Sequence, residues 1–321
     1  MTTPQQHIDS GIGARSTASE VLTGIDLSGQ LAIVTGGYSG LGLETVRALS
    51  AAGADVIVPA RRRAHAEEIL QGVERVEVVD LDLGDLESVR ACAARLLDSQ
   101  RSIDILINNA AIMACPETRV GPGWEAQFAT NHLGHFALTN LIWPALAAGG
   151  GARVVALSST GHKLSPIRFD DLQFTTGYDK WRAYGQAKTA NSLFAVQLDT
   201  LGSDTGVRAF AVHPGGIFTP LQRHLTREEM IASGWIDEHG NPHERFKTPE
   251  QGAATSTWAA TAPALAGMGG VYCEDCDIAA PTAVGSPSAR LQGVDAHAID
   301  PDVAARLWRV SAELTSVDAF G

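Results

Sequence analysis

From residue 30 onward, short apolar runs rich in β-branched residues alternate with longer segments whose apolar positions recur at helical spacing. The runs are LAIV (31–34), DVIV (55–58), VEVVDL (76–81), IDILIN (103–108), RVVAL (153–157) and VRAFAV (207–212), with GGVY (269–272) as a seventh. Near-continuous apolar runs of this kind predict strands buried on both faces. Between them, stretches such as SGLGLETVRALSAAG (39–53) predict helices that end at glycine. Strand and helix alternating along one chain predict βαβ units. The expected fold is therefore α/β: a doubly wound (Rossmann-type), mostly parallel seven-stranded sheet with helices on both faces.

Some segments break the rhythm. Residues 1–28 form an N-terminal arm with helical character in STASEVLTGI, and residues 160–183 form a long insertion after the fifth strand. Residues 220–250 interrupt the alternation after the sixth. That last segment follows the carboxyl end of a strand, where doubly wound sheets bind ligands, and is read as a substrate lid. A surface excursion without substrate contact is the alternative. A length of 321 residues fits one large α/β domain or two smaller ones, and a single Rossmann-type domain over 1–321 is expected.

Composition narrows the partners. The chain is 45% hydrophobic and 19% charged, as soluble globular proteins are, and its net charge of −12 argues against nucleic acid or an anionic membrane surface. A small molecule is the expected partner. With no apolar N-terminal core and no membrane-length apolar run, no membrane span and a cytoplasmic location are expected. Cys273 and Cys276 in CEDC, and His132 and His135 in NHLGHF, have close spacings but no second ligand pair, so no metal is expected.

The first strand runs into TGGYSGLG (35–42) and then a helix. Glycines there let the backbone fold against a pyrophosphate, and the helix N-terminus offers free N–H groups. Strand, TGxxxGxG and helix together resemble the short-chain dehydrogenase/reductase family. Further motifs follow in that family's order: DLD with Asp82 and Leu83, NNAA (108–111) with alanine for the usual last glycine, TNHLGHF with Asn131, LSST with Ser158 and Ser159, YGQAK with Tyr184 and Lys188, and HPGGIFTP (213–220). The arm and the ending GGVYCEDCDIAAP are similar to the retinol-dehydrogenase-like and WW-domain-oxidoreductase-like branch.

The resemblance implies a nicotinamide dinucleotide held by Gly36, Tyr38, Ser39, Gly40, Leu41, Gly42, Asp82, Leu83, Asn109, Ala110, Ala111, Tyr184, Lys188, Pro214, Gly215, Ile217 and Thr219. Charge argues for NADP(H) over NAD(H). The second strand ends VIVPARRR, without the acid that accepts a ribose 2′-OH, whereas Arg61 and Arg62 could clamp a 2′-phosphate. A solvated basic start to the next helix is the alternative.

The expected chemistry is hydride transfer between a ketone or aldehyde and an alcohol, with Tyr184 as general acid and base. A free tyrosine has a pKa of about 10, and a close, partly desolvated ammonium would lower it. Lys188 is one of only four lysines in the chain. By resemblance it also holds the nicotinamide ribose, Ser159 binds the substrate oxygen, and Asn131 anchors a water that links Lys188 to solvent. Adjacent strand residues point to opposite faces, so Ser158 and Ser159 cannot both enter the cleft unless the strand has already ended; family motifs favour Ser159. Asn131 could also cap the helix that follows it, and the two roles do not exclude each other.

Leu164, Ile167, Phe169, Leu172, Phe174, Tyr178 and Trp181 of the insertion either line an apolar pocket for a bulky substrate or pack the insertion onto the domain. The resemblance also allows a homo-oligomer paired through the helices that carry Asn131 and Tyr184. Two rival readings keep the fold: an NADP(H)-sensing protein without turnover, against which the full Asn131, Ser159, Tyr184 and Lys188 set counts, and a C=C (enone) reductase.

Overall fold

The structure is a computed structural model and describes residues 3–321. Eight strands form the central sheet: β1 (Leu31–Val34), β2 (Asp55–Ala60), β3 (Val76–Asp80), β4 (Ile105–Asn108), β5 (Arg153–Leu157), β6 (Arg208–His213), β7 (Val271–Glu274) and β8 (Asp277–Ile278). Their spatial order is β8-β7-β6-β5-β4-β1-β2-β3, parallel except for the β7–β8 pair. The expected sheet was one strand short. Asp275 and Cys276 both take left-handed backbone (φ 51° and 60°), which turns the chain back into β8, a two-residue strand too short to leave an alternation in the sequence.

Both sheet faces are dry, and the pleat divides them. Ala32, Val34, Val56, Val58, Ile105, Ile107, Val155 and Leu157 face one core, while Leu31, Ile33, Leu106, Val154 and Ala156 face the other. The first core is closed by the helices Gly40–Ala51 and Ala254–Thr261, through Leu49 and Trp258. The second is closed by Leu86–Asp98, Gly134–Leu141 and Lys180–Gly202. The chain reverses its order of addition between β1 and β4, which are neighbours in the sheet but not in sequence. Ligands of such sheets bind in the crevice at that switch point, beyond the carboxyl ends of the strands.

Lys180–Gly202 is the longest helix and lies almost entirely inside the protein, started by Asp179, whose carboxylate accepts from the Trp181 and Arg182 N–H groups. Pro301–Thr315 covers its outer face, with Trp308 stacked on Phe194 (centroids 5.8 Å apart, planes at 8°). Ser311 of the same covering helix bonds His132 beside Asn131. The helices that the resemblance would pair between subunits thus each meet this chain's own C-terminal helix.

Toward its far end the long helix is fastened to the sheet by charge. Arg208 of β6 grips Asp199 with Nε and Nη2, each at 2.7 Å, and the Ala209 N–H adds a bond at 3.1 Å. Both side chains are mostly buried. Removing one partner strands the other in a dry site, so Asp199→Ala should lower unfolding stability by about 3–5 kcal/mol in denaturant titrations, and Asp199→Leu with Arg208→Met should recover most of the loss.

Candidate active site

Two adjoining cavities open at the strand ends, of about 420 Å³ and about 600 Å³. Leu41, Asn109, Ala111, Thr219 and Leu221 line both. The smaller one is bounded by the glycine turn, whose backbone is folded tightly on its own neighbours. Gly36 has φ +65°, and a Cβ on Gly42 would stand 2.5 Å from the Asn109 amide and 2.6 Å from the Gly36 carbonyl oxygen. Ser39, at the N-cap of Gly40–Ala51, makes no side-chain cap, so the first-turn N–H groups remain available to an anion. Tyr38, Arg61, Arg62, Asp82, Leu83 and Ala110 also line this cavity. Arg61 and Arg62 are exposed and form no ion pair among the described residues, whereas Arg63 is engaged by Glu67 and Asp80. The glycine turn and the open helix end fit a nicotinamide dinucleotide.

The larger cavity holds the reactive side chains. Tyr184, Lys188 and Ser159 line it, together with Pro214, Gly215 and Ile217. The two serines follow the end of β5 and both line the cavity, but they are bonded differently. Ser158 turns inward, donating to the Lys188 carbonyl (2.8 Å) and accepting from Ser192 (2.8 Å), while the Ser159 Oγ accepts from the Gly161 N–H (3.0 Å) at the cavity wall. Gly161 makes room for the tyrosine, because a Cβ there would lie 2.7 Å from the Tyr184 ring. The Lys188 Nζ donates to the Leu157 carbonyl at the end of β5 (2.8 Å) and stands 5.6 Å from the Tyr184 ring centre.

The short chain dehydrogenase family model matches residues 30–230, well over half of the chain. The chain belongs to the short-chain dehydrogenase/reductase family. A probable oxidoreductase of Streptomyces lividans is 46% identical over 301 residues, covering 91% of this chain and 99% of that protein. Retinol dehydrogenase 12 of Mus musculus is 36% identical over 301 residues, 92% of this chain and 89% of its own, which supports the retinol-dehydrogenase-like branch. Among solved structures, the Pseudomonas aeruginosa RhlG/NADP active-site complex superposes with a TM-score of 0.60 at 26% identity, covering 78% of this chain and 95% of that one.

In this short-chain dehydrogenase/reductase, burial dominates the electrostatics of the centre. It pushes the Tyr184 hydroxyl up to about 12, with the Ser159 side chain working the other way. It brings the Lys188 ammonium down to about 7. The expected lowering of the tyrosine by the lysine is thus absent from the protein by itself, because the dry site that would strengthen the attraction also discharges the cation.

Asn131 does not cap a helix. It sits in a π-turn, Ala129–Leu133, and both ends of its amide are used on Ile112, accepting from its N–H and donating to its carbonyl, each at 2.9 Å. Its own carbonyl accepts from His135 Nδ1 (3.0 Å), and His135 Nε2 accepts from the Thr35 hydroxyl (2.8 Å). The same hydroxyl oxygen accepts from the N–H groups of Asn109 (2.9 Å) and Ala110 (3.0 Å). His135, brought to about 4 by burial, is the neutral link between the glycine turn, the end of β4 and Asn131. His132 is likewise buried and neutral, stacked near Phe128. Cys273 and Cys276 are free, buried thiols in the core. Among the described residues no group of three or more His, Cys, Asp or Glu is placed to hold a metal, and no helix is long and apolar enough to cross a membrane.

The flagged segments divide between core and cavity. Of the insertion's apolar residues, Leu164 and Trp181 line the larger cavity; Ile167, Phe169 and Leu172 pack into a satellite core with Leu193 and Leu307, and Phe174 is buried against Tyr178. From 220–250, Leu221, Gln222, Trp235, Arg245, Phe246 and Lys247 reach the cavity wall. Trp235 meets Trp181 and Phe246 edge-on, and Lys180 pairs with Glu229. The pattern of the sequence did not reveal Met113, His213, Glu274, Asp275 and Arg290, which also line the cavity, nor Arg15, whose guanidinium donates to the carbonyls of Phe246 (2.8 Å) and Glu244 (2.7 Å).

The buried ammonium has a stability consequence. A lysine whose folded pKa lies near 7 and whose unfolded value is near 10.5 destabilises the fold fully below about pH 7, and the penalty fades as pH rises to about 10.5. The Leu157 carbonyl keeps a second donor in Asn191 Nδ2 (2.9 Å). Lys188→Met should therefore stabilise the protein at pH 7 by an amount on the order of a few kcal/mol, with the gain shrinking above neutral pH, as read by chemical unfolding at pH 7 and pH 10.

Proposed function

We propose that this protein is an NADP(H)-dependent oxidoreductase interconverting a bulky or apolar ketone or aldehyde and its alcohol, within one Rossmann-type domain whose segment 220–250 acts as a substrate lid. The observation that carries the reading is the meeting of Tyr184, Ser159 and Lys188 where the dinucleotide-shaped cavity joins an apolar one. NADP(H) is supported by the unpaired Arg61 and Arg62 with no acid at the end of β2, and by the NADP-bound Pseudomonas structure.

When bound, NADP(H) supplies or accepts the hydride. Ser159 Oγ already accepts from the Gly161 N–H, so its hydrogen is free to bond the substrate oxygen and orient the carbonyl. Tyr184, neutral at physiological pH, hands its proton to that oxygen on reduction and takes it back on oxidation. Lys188, one helical turn from Tyr184, exchanges protons near neutrality, and Asn131 holds the backbone of Ile112. The apolar lining of the larger cavity excludes water from this exchange.

Tyr184→Phe should lower NADPH-dependent turnover of ketones and aldehydes by about three orders of magnitude or more while leaving the NADPH dissociation constant within about threefold. Appreciable residual turnover in that variant would remove Tyr184 from its role. Replacing Arg61 and Arg62 together by Ala should raise the KM for NADPH at least about tenfold and leave that for NADH nearly unchanged; equal changes would defeat the assignment of the 2′-phosphate clamp.

A further inference from the structure

The lining of the larger cavity combines two chemistries. Met113, Leu164, Trp181, Leu221, Trp235 and Phe246 are apolar. Arg15, Arg245, Lys247 and Arg290 bring four cations to the same lining against Glu274 and Asp275. A chain with a net charge of −12 thus lines one cavity with an excess of cations.

These cations are not equally committed. Lys247 is paired with Asp275 at 2.7 Å, and Arg245 donates to the Ser233 and Gly234 carbonyls. Arg15 spends one N–H from each of two nitrogens on the lid carbonyls and keeps other donors. Arg290, on the loop after β8, makes no hydrogen bond or ion pair among the described residues. A second polar group also waits at this cavity: His213, which lines it, has a buried Nδ1 without a partner. Glu274 accepts from the Gly293 N–H at 2.8 Å.

We infer that the substrate is amphipathic, an apolar carbonyl compound whose far end carries a carboxylate read by Arg290 with Arg15. The inference rests on the carbonyl-reductase reading and specifies its substrate class. The apolar lining takes the body of the molecule, the Ser159–Tyr184 end takes the reacting carbonyl, and a guanidinium offers the carboxylate paired N–H donors. The cationic lining also draws anions toward a protein that otherwise repels them, an effect that salt suppresses.

The test compares 10-oxodecanoate with its methyl ester, at saturating NADPH, in the full-length protein and in Arg290→Ala and Arg15→Ala/Arg290→Ala. The acid should be preferred over the ester in kcat/KM by about tenfold or more, and the ratio should fall toward one in the variants and in about 0.5 M KCl. Turnover of both aldehydes without preference, or an acid preference that survives both variants, overturns this inference and leaves the reductase reading standing. No turnover of either aldehyde by protein that still binds NADPH overturns the reductase reading and this inference with it.

Discussion

The active cleft is organised around one awkward constraint, an ammonium held out of water. Lys188 is 3% exposed, and its Nζ donates to the carbonyl that ends β5. Such a group stays in place only if the helix carrying it is held on every side. The helix Lys180–Gly202 is started by Asp179, pinned by Asp199 to Arg208, and covered by Trp308 and its neighbours. Much of the second core can be understood as the support for this one side chain and for Tyr184 one turn before it. The dryness also separates the two acidities, with tyrosine up and lysine down, so that near neutral pH the tyrosine is an intact proton donor and the lysine can exchange.

A second dependence runs through His135. The glycine turn after β1, the end of β4 and the π-turn of Asn131 belong to distant parts of the chain, and one neutral imidazole with the Thr35 hydroxyl joins them. The π-turn offsets the Asn131 carbonyl toward that imidazole while its amide clamps Ile112. The wall of the smaller cavity and Asn131 are thus set by the same buried hydrogen bonds.

Segments outside the alternating pattern shape the larger cavity. The N-terminal arm is anchored to the sheet edge, with the Gln5 amide bonding the backbone of Tyr272 and Ala279 and Asp277 accepting from Ile8 and Ser10, before Arg15 reaches the carbonyls of the 220–250 segment. That segment is held at its base by the Lys247 N–H on the Gly216 carbonyl and at its side by Glu229 on Lys180. Of the insertion's aromatics, Trp181 lines the cavity, while Phe169 packs in a core with Leu193 and Leu307 and Phe174 packs on Tyr178.

What the sequence by itself determined is the part governed by local rules. Buried strands wrote themselves as apolar runs, the glycine turn followed its strand, and the order of Asn131, Ser159, Tyr184 and Lys188 was legible. Every residue expected to hold the cofactor lines one of the two adjoining cavities. The tertiary structure decided what depends on distant neighbours. The extra strand β8 exists through two left-handed residues and a short pairing, Asn131 serves Ile112 instead of a helix end, and Tyr184 is raised instead of lowered. It also decided that Arg15 and Arg290, 275 positions apart by their numbers, line one cavity. Periodicity and motif order are properties of a segment; desolvation, hydrogen-bond partnership and the meeting of charges are properties of the packed whole, and no segment carries them.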